Sequence, residues 1–172
     1  NGVTNSVRRV LEHLAAEGHE AQLIAPTGPD TYSGFPVIHA RGASLPFYAE
    51  FRIGLETRRR LRATMERFRP DVVHIASPAT LGHQAARAAR SLGIPTIAIY
   101  QTDLVGFADR YAVPGGARAM EALTRRIHLG VDRTLAPSSA SIAQLERLGI
   151  DGVAQLDTSA AAVRKGVAER VR

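Results

Sequence analysis

The chain has 172 residues, 45% of them hydrophobic, and this length predicts one sizeable core. It contains no cysteine, which excludes a disulfide framework, a thiolate zinc site and a cysteine nucleophile. The formal net charge of +6 comes almost entirely from arginine, since Lys165 is the only lysine, and it suits an anionic partner without naming one.

The first predicted element is a helix. Residues 1–3 are a turn of small residues that leads directly into apolar residues at helical spacing. Thr4 or Asn5 is expected to cap this helix, and Gly18 to end it. No strand is visible before the turn, so we expect the strand that feeds it to lie upstream of this sequence.

Two short strands and a basic helix are predicted next. Residues 21–25 are the first strand, and residues 37–39 are the second. Residues 50–69 are predicted as one helix, because apolar residues such as Leu61 and Met65 recur at helical spacing beneath a very basic face.

From residue 71 onward, buried strands alternate with helices. The predicted elements are a strand over 71–76, a helix over 77–93, a strand over 96–100, a helix over 120–131, a strand over 133–137 and a helix over 138–150. Short joints between such elements indicate an α/β fold with a Rossmann-like, doubly wound parallel sheet. Ligands of such sheets bind at the carboxyl ends of the strands.

Residues with small or hydrogen-bonding groups follow the predicted strands. They occupy positions 1–4, 74–78, 100–103 and 136–141. At the first of these, Gly2 precedes a helix whose unpaired N–H groups could hold a phosphate. One glycine before a helix is also an ordinary tight turn, and the residues alone leave both interpretations open.

Three segments carry a family resemblance. NGVTNSVRRVLEHLAAEGHEAQLIAP, RPDVVHIASPATLGHQAARAARSLGIPTIAIYQTD and VDRTLAPSSAS, in this order and spacing, resemble the N-terminal domain of glycosyltransferase family 4 enzymes. The sequence is most similar to the actinobacterial GDP-mannose-dependent α-mannosyltransferases that act on lipid or phosphoinositide-type acceptors. The resemblance covers residues 1 to about 150.

The resemblance implies a two-domain GT-B enzyme with Rossmann-like halves facing each other across a cleft. Residues 1–150 would be the acceptor-binding domain, and residues 151–172 a tail or a remnant of a following segment. Mannose would pass from GDP-mannose with retention of configuration, without a metal ion or another cofactor. We expect this chain to be inactive alone, because the donor-binding half lies elsewhere.

The resemblance also assigns residues. The backbone amides of Gly2 and Val3 would approach the donor diphosphate. His74 would line the acceptor side, although a core histidine bonded to backbone explains it equally well. Ser77, Thr102 and Asp103 suit sugar or inositol hydroxyls.

Helix capping is the alternative role of Ser77, Thr102 and Asp103. Gln101 stands where many family members have a histidine beside the reacting sugar. Glutamine is neither an acid nor a base near neutral pH, so Gln101 is expected to orient the sugar by hydrogen bonding.

The arginines of the 50–69 segment allow two interpretations. They are Arg52, Arg58, Arg59, Arg60, Arg62, Arg67 and Arg69. One is a solvated helix face. The other is docking to anionic lipid headgroups, with Arg58, Arg59, Arg60 and Arg62 as the contacts of a cytoplasmic protein at the inner face of the plasma membrane.

Other functions compete for the same features. A nucleic-acid module lacks support, because interleaved aromatic residues and a recognisable binding motif are missing. A dinucleotide-dependent oxidoreductase would need a fuller glycine fingerprint. The alternative is a non-catalytic basic binding module for anionic lipid or nucleic acid, or a sugar-nucleotide epimerase of the same architecture.

Overall fold

The computed structural model describes residues 2–45, 48–77, 80–101 and 116–156. Within these ranges the helices are α1 (Gly2–Ala16), α2 (Arg58–Phe68), α3 (Thr80–Ser91), α4 (Gly116–His128) and α5 (Ser139–Arg147). The strands are β1 (Leu23–Ala25), β2 (Thr31–Tyr32), β3 (Phe35–His39), β4 (Gly42–Leu45), β5 (Tyr48–Gly54), β6 (Val73–Ile75), β7 (Thr96–Ile99), β8 (Arg133–Ala136) and β9 (Ala154–Gln155). In the described ranges, no helix has the length and apolar character that crossing a bilayer requires.

The second half of the chain forms a parallel sheet of four strands in the order β6, β7, β8, β9. Helix α3 connects β6 to β7, α4 precedes β8, and α5 connects β8 to β9. The α/β fold with a Rossmann-like parallel sheet is therefore confirmed. Parallel strands need such helical crossovers, because a short turn cannot return the chain to the same edge.

The first half holds two smaller sheets. Strand β1 pairs in parallel with β3, and β2 pairs with β3 as an antiparallel hairpin. Ser33 and Gly34 join this hairpin with φ angles of 50° and 82°, the positive values that a type I′ turn requires. Strands β4 and β5 form a second antiparallel hairpin.

The core lies mainly between the four-stranded sheet and its helices. Leu61 and Met65 of α2 pack against Ala88 and Ala89 of α3, and all four are buried. The alanines have no bulk beyond Cβ, so the two helices can approach closely. A second group joins Tyr100, after β7, to Leu145 of α5.

The predicted helix over 50–69 is wrong in its first part. Residues up to Gly54 belong to β5, which pairs with β4, and α2 begins only at Arg58. Thr57 is the N-cap, and its side chain accepts a hydrogen bond of 3.3 Å from the Arg60 amide. Arg52 therefore lies on a strand, away from the arginines of α2.

The predicted start of α1 is also wrong, whereas its end is confirmed. Gly2 and Val3 are already helical, so Thr4 and Asn5 lie inside the first turn and not before it. The predicted stop at Gly18 agrees with its φ of 74°.

The end of the described chain adds a strand. Ser138 caps α5, and Gly149 follows that helix with a φ of 70°. Strand β9 then pairs with β8 beyond residue 150. Residues 157–172 of the expected tail lie outside the described residues, and the domain division at residue 150 stays a prediction.

Candidate functional site at the carboxyl edge of the sheet

The carboxyl ends of β6, β7 and β8 meet at one edge, because these neighbouring strands are parallel. Ser77 follows β6, Gln101 follows β7 and Ser138 follows β8. The structure thus brings together three of the four strand ends that the sequence singles out.

His74 lies in the middle of β6, not at its end. Its neighbours Val73 and Ile75 pack into the core with α3, whereas the His74 side chain is exposed. Alternate residues of a strand point to opposite faces, so His74 lies on the face of the sheet opposite to α3. This exposure argues against a core histidine.

The His74 ring is accessible to water and yet sits among many protein atoms. Desolvation by these atoms lowers the pKa of His74 below its ordinary value. Contact with water and the polarity of the surroundings are separate properties, so a partly exposed ring can still have a lowered pKa. At neutral pH the ring is uncharged, so one nitrogen donates and the other accepts a hydrogen bond.

Gln101 is half-buried, and its side-chain amide nitrogen is fully buried. Within the described part of the chain, this Nε2 atom has no hydrogen-bond partner. An unpaired buried donor costs about 1–3 kcal/mol, so it needs a reason. A hydroxyl-bearing ligand at the strand ends would satisfy it.

Ser77 is exposed in the connection that leads from β6 to α3. Gly82 holds this connection close to α3: a Cβ atom at Gly82 would lie 2.5 Å from the Ser77 carbonyl oxygen and 2.7 Å from Cγ2 of Ile75. Only glycine permits this approach. The capping position before Thr80 lies outside the described residues, so a capping role for Ser77 stays untested.

Two further sets of polar contacts lie at the starts of α3 and α2, and sequence reasoning missed both. The Thr80 hydroxyl donates to the Gly54 carbonyl at 2.7 Å, which ties the first residue of α3 to the end of β5. Glu56 is buried, accepts from the amides of Arg41 and Thr57, and lies 3.4 Å from a guanidinium nitrogen of Arg60. A lone glutamate before a helix gives no sequence signal of burial.

Gly2 and Val3 lie at the start of α1, and the Val3 side chain is half-buried. Helix α1 makes only sparse contacts with the other described elements. The phosphate-binding role of Gly2 and Val3 stays a prediction. Thr102 and Asp103 lie outside the described residues.

The arginines Arg58, Arg59, Arg60 and Arg62 are all exposed on α2. Leu61 and Met65 are buried on the other face of the helix. Arg62 bonds Glu66 at 2.9 Å. The basic face is therefore real, and it is held firmly by the core beneath it.

Acidic and histidine side chains do not gather as metal ligands anywhere in the described ranges. The expected absence of a metal and of a cofactor stays a prediction.

Comparison with known proteins identifies related sequences. The family model described as Glycosyltransferase Family 4 matches residues 1–154. A GDP-mannose-dependent alpha-mannosyltransferase of Mycobacterium tuberculosis is 47% identical over 160 residues, which cover 89% of this chain and 42% of that protein. A protein of the same description from Corynebacterium glutamicum is 43% identical, over 89% of this chain and 38% of its own length.

A more distant relative has a different description. The sulfoquinovosyl transferase SQD2 of Arabidopsis thaliana is 27% identical over 158 residues, which cover 91% of this chain and 31% of that protein. The chain thus spans less than half the length of each relative.

Proposed function

The chain belongs to glycosyltransferase family 4, and we propose on this basis that it is the acceptor-side, N-terminal domain of a two-domain GT-B mannosyltransferase. The whole protein transfers mannose from GDP-mannose, with retention of configuration, to a lipid or phosphoinositide-type acceptor. Relatives described as GDP-mannose-dependent alpha-mannosyltransferases, at 42% to 47% identity, support the donor.

One observation carries the role of this domain. The buried amide nitrogen of Gln101 lacks a partner among the described residues, and it lies at the carboxyl end of β7 beside the strand of His74. In the proposed complex this amide donates to a hydroxyl of the sugar. The uncharged His74 ring exchanges hydrogen bonds with the acceptor, assisted by Ser77, Thr102 and Asp103.

The proposed reaction needs no protein base. The bond between the anomeric carbon and the donor phosphate oxygen breaks, and a bond from the acceptor oxygen forms on the same face of the sugar. The departing phosphate of GDP takes the acceptor proton. The amides of Gly2 and Val3 stabilise the charge that grows on this leaving group.

Docking through α2 places the enzyme at its acceptor. Exposed arginines lie on one face of α2, and the buried residues of the other face fix the helix to α3. Such a basic helix can lie on anionic headgroups without spanning the bilayer. We expect a cytoplasmic enzyme in peripheral contact with the membrane.

The function is tested by a donor panel with the full-length protein. GDP-mannose, UDP-glucose and a UDP-sulfoquinovose donor are each incubated with membranes that contain phosphoinositides, and glycolipid products are counted. We expect sugar transfer from GDP-mannose and from neither of the other two donors. Transfer from another donor, or a sugar epimer formed without any acceptor, would overturn the assignment.

Residues 1–172 alone are expected to transfer no mannose, because the donor-binding half of the proposed enzyme lies outside them. Activity of the isolated chain at the rate of the full-length protein would contradict this division of labour.

A further inference from the structure

A groove of about 240 Å³ lies between α3 and α4, near the point where the chain leaves α4 for β8. Its lining residues are His83, Ala86, Arg87, Arg90, Arg126 and Gly130. Three guanidinium groups and one imidazole thus face a single open depression, and no carboxylate is among its lining residues.

The arginines of this α3–α4 groove differ in their partners. Arg90 donates to the Gly130 carbonyl at 2.6 Å, so its side chain is held at the rim. It also faces Asp132, whose pKa is lowered mainly by hydrogen bonds from Thr96 and further by Arg90. Arg87 and Arg126 form no salt bridge with a described residue.

Among the described residues, the groove thus holds two guanidinium groups, those of Arg87 and Arg126, that have no salt-bridge partner. The pKa of His83 is lowered by desolvation, and then by the charges of Arg126 and Arg87. This lowering is the effect expected of two cations near the His83 ring, Arg87 on α3 and Arg126 on α4. Bringing like charges together is unfavourable, and a bound anion would relieve it.

The helices hold these cations in place. Ala86 is buried against Ile75 and Ala98 of the sheet, so the turn of α3 that carries His83 and Arg87 is fixed. Ile127, next to Arg126 on α4, is fully buried. The backbone positions of His83, Arg87 and Arg126 are set by the core before any ligand arrives.

We propose that the α3–α4 groove binds a phosphate-bearing anion, with Arg87 and Arg126 as the main ligands and His83 beside them. A guanidinium fork matches two phosphate oxygens, and the volume accommodates a phosphate or diphosphate group. The phosphate belongs either to a soluble compound or to a lipid headgroup, since α3 also packs against the basic helix α2.

The test follows the His83 resonance of the full-length protein by proton NMR, with His83→Gln to assign it. Inorganic pyrophosphate is titrated at several pH values. The expected result is a rise of about half a pKa unit or more for His83, since a nearby negative charge favours the protonated ring. An unchanged pKa would overturn the proposal.

Matched variants separate this groove from general electrostatics. Arg87→Gln with Arg126→Gln removes two charges from the groove, and Arg8→Gln with Arg9→Gln removes two from α1. In the groove variant, the same rise in the His83 pKa should need at least about tenfold more pyrophosphate. In the α1 variant, the His83 pKa should respond as in the wild type. An equal loss in both would contradict the proposal. Lysine at positions 87 and 126, which keeps the charge and loses the fork, should give an intermediate response.

The source of the phosphate is decided by flotation with vesicles of phosphatidic acid in phosphatidylcholine. If the groove variant binds them more weakly than the α1 variant, the ligand is a lipid headgroup. If vesicle binding is equal while the His83 pKa still responds to pyrophosphate, the ligand is a soluble phosphate compound. Both results support the groove as an anion site.

Discussion

At the scale of single residues, His128 has the most perturbed surroundings. Its side chain is 3% exposed, its Nδ1 lies 3.1 Å from the Thr134 hydroxyl, and its ring meets Tyr100 edge to face at 5.6 Å. Its Nε2 has no partner within the described ranges. Burial lowers the pKa of His128 to about 4, so the ring is neutral in the folded protein.

This residue makes the stability depend on pH. The folded pKa of about 4 lies below the unfolded value of 6.5, so between these values the unfolded chain binds more protons. The free energy of unfolding should fall by about 2 kcal/mol from pH 7 to pH 5, measured by urea denaturation. His128→Leu should reduce this slope.

A smaller slope of the same sign will remain in the His128→Leu variant, since the pKa values of His74 and His83 are lowered as well. His74→Gln is the control, because its exposed ring should contribute less. If the free energy of unfolding of His128→Leu depends on pH as strongly as that of the wild type, His128 is not the source of this dependence.

Gly82 is the second residue whose role depends on close contact. In Gly82→Ala the new Cβ would lie 2.5 Å from the Ser77 carbonyl oxygen. The β6–α3 connection must then move, and we expect a loss of about 1–3 kcal/mol by thermal unfolding. Gln84→Ala on the same helix should cost less than about 0.5 kcal/mol. Equal stability of the two variants would show that the connection adjusts freely.

Among the residues, the sequence could predict chemistry better than surroundings. It singled out His74 and Gln101, and the structure places His74 on β6 and Gln101 just after the neighbouring strand β7. It could not reveal the buried Glu56, the close approach at Gly82 or the neutral state of His128. These depend on contacts between distant parts of the chain, as does the bond of 2.7 Å from the Thr96 hydroxyl to Asp132.

At the scale of elements, the β5–α2 boundary shows what periodicity misses. Residues 50–54 fit a helix or a strand, and pairing with β4 decides for the strand. The later strands and helices were predictable, since buried apolar runs alternate there with helical repeats between glycine and proline residues.

The N-cap of α2 is testable in isolation. Thr57→Ala removes the side-chain acceptor for the Arg60 amide, and the free energy of unfolding should drop by about 1 kcal/mol. Thr57→Ser keeps the hydroxyl and serves as the control, with little expected change. If alanine and serine behave alike in urea denaturation, the cap contributes nothing to stability.

At the scale of the whole molecule, α2 and α3 pack side by side as one layer against the sheet, and the arginines of α2 lie on the exposed side of this layer. Replacing Arg58, Arg59 and Arg60 by glutamine should lower binding to anionic vesicles by about tenfold or more, since each surface charge contributes about 1 kcal/mol. The loss should shrink at high salt. The variant with Arg8→Gln and Arg9→Gln is the control. If the α2 variant still binds anionic vesicles like the wild type, the arginines of α2 are a solvated helix face and do not dock to the membrane.

The arrangement of strand ends could be predicted from alternation alone, because parallel strands share one carboxyl edge. The relation of α1 to that edge could not, since nothing in residues 1–16 specifies which surface the helix covers.

The central claim is that Gln101 contacts the transferred sugar. Its most direct test is the kcat of mannose transfer by full-length Gln101→Ala, with Gln84→Ala as the control. We expect kcat for Gln101→Ala to fall at least about tenfold, while Gln84→Ala keeps the wild-type value. Wild-type kcat and KM in the Gln101→Ala enzyme would contradict the claim.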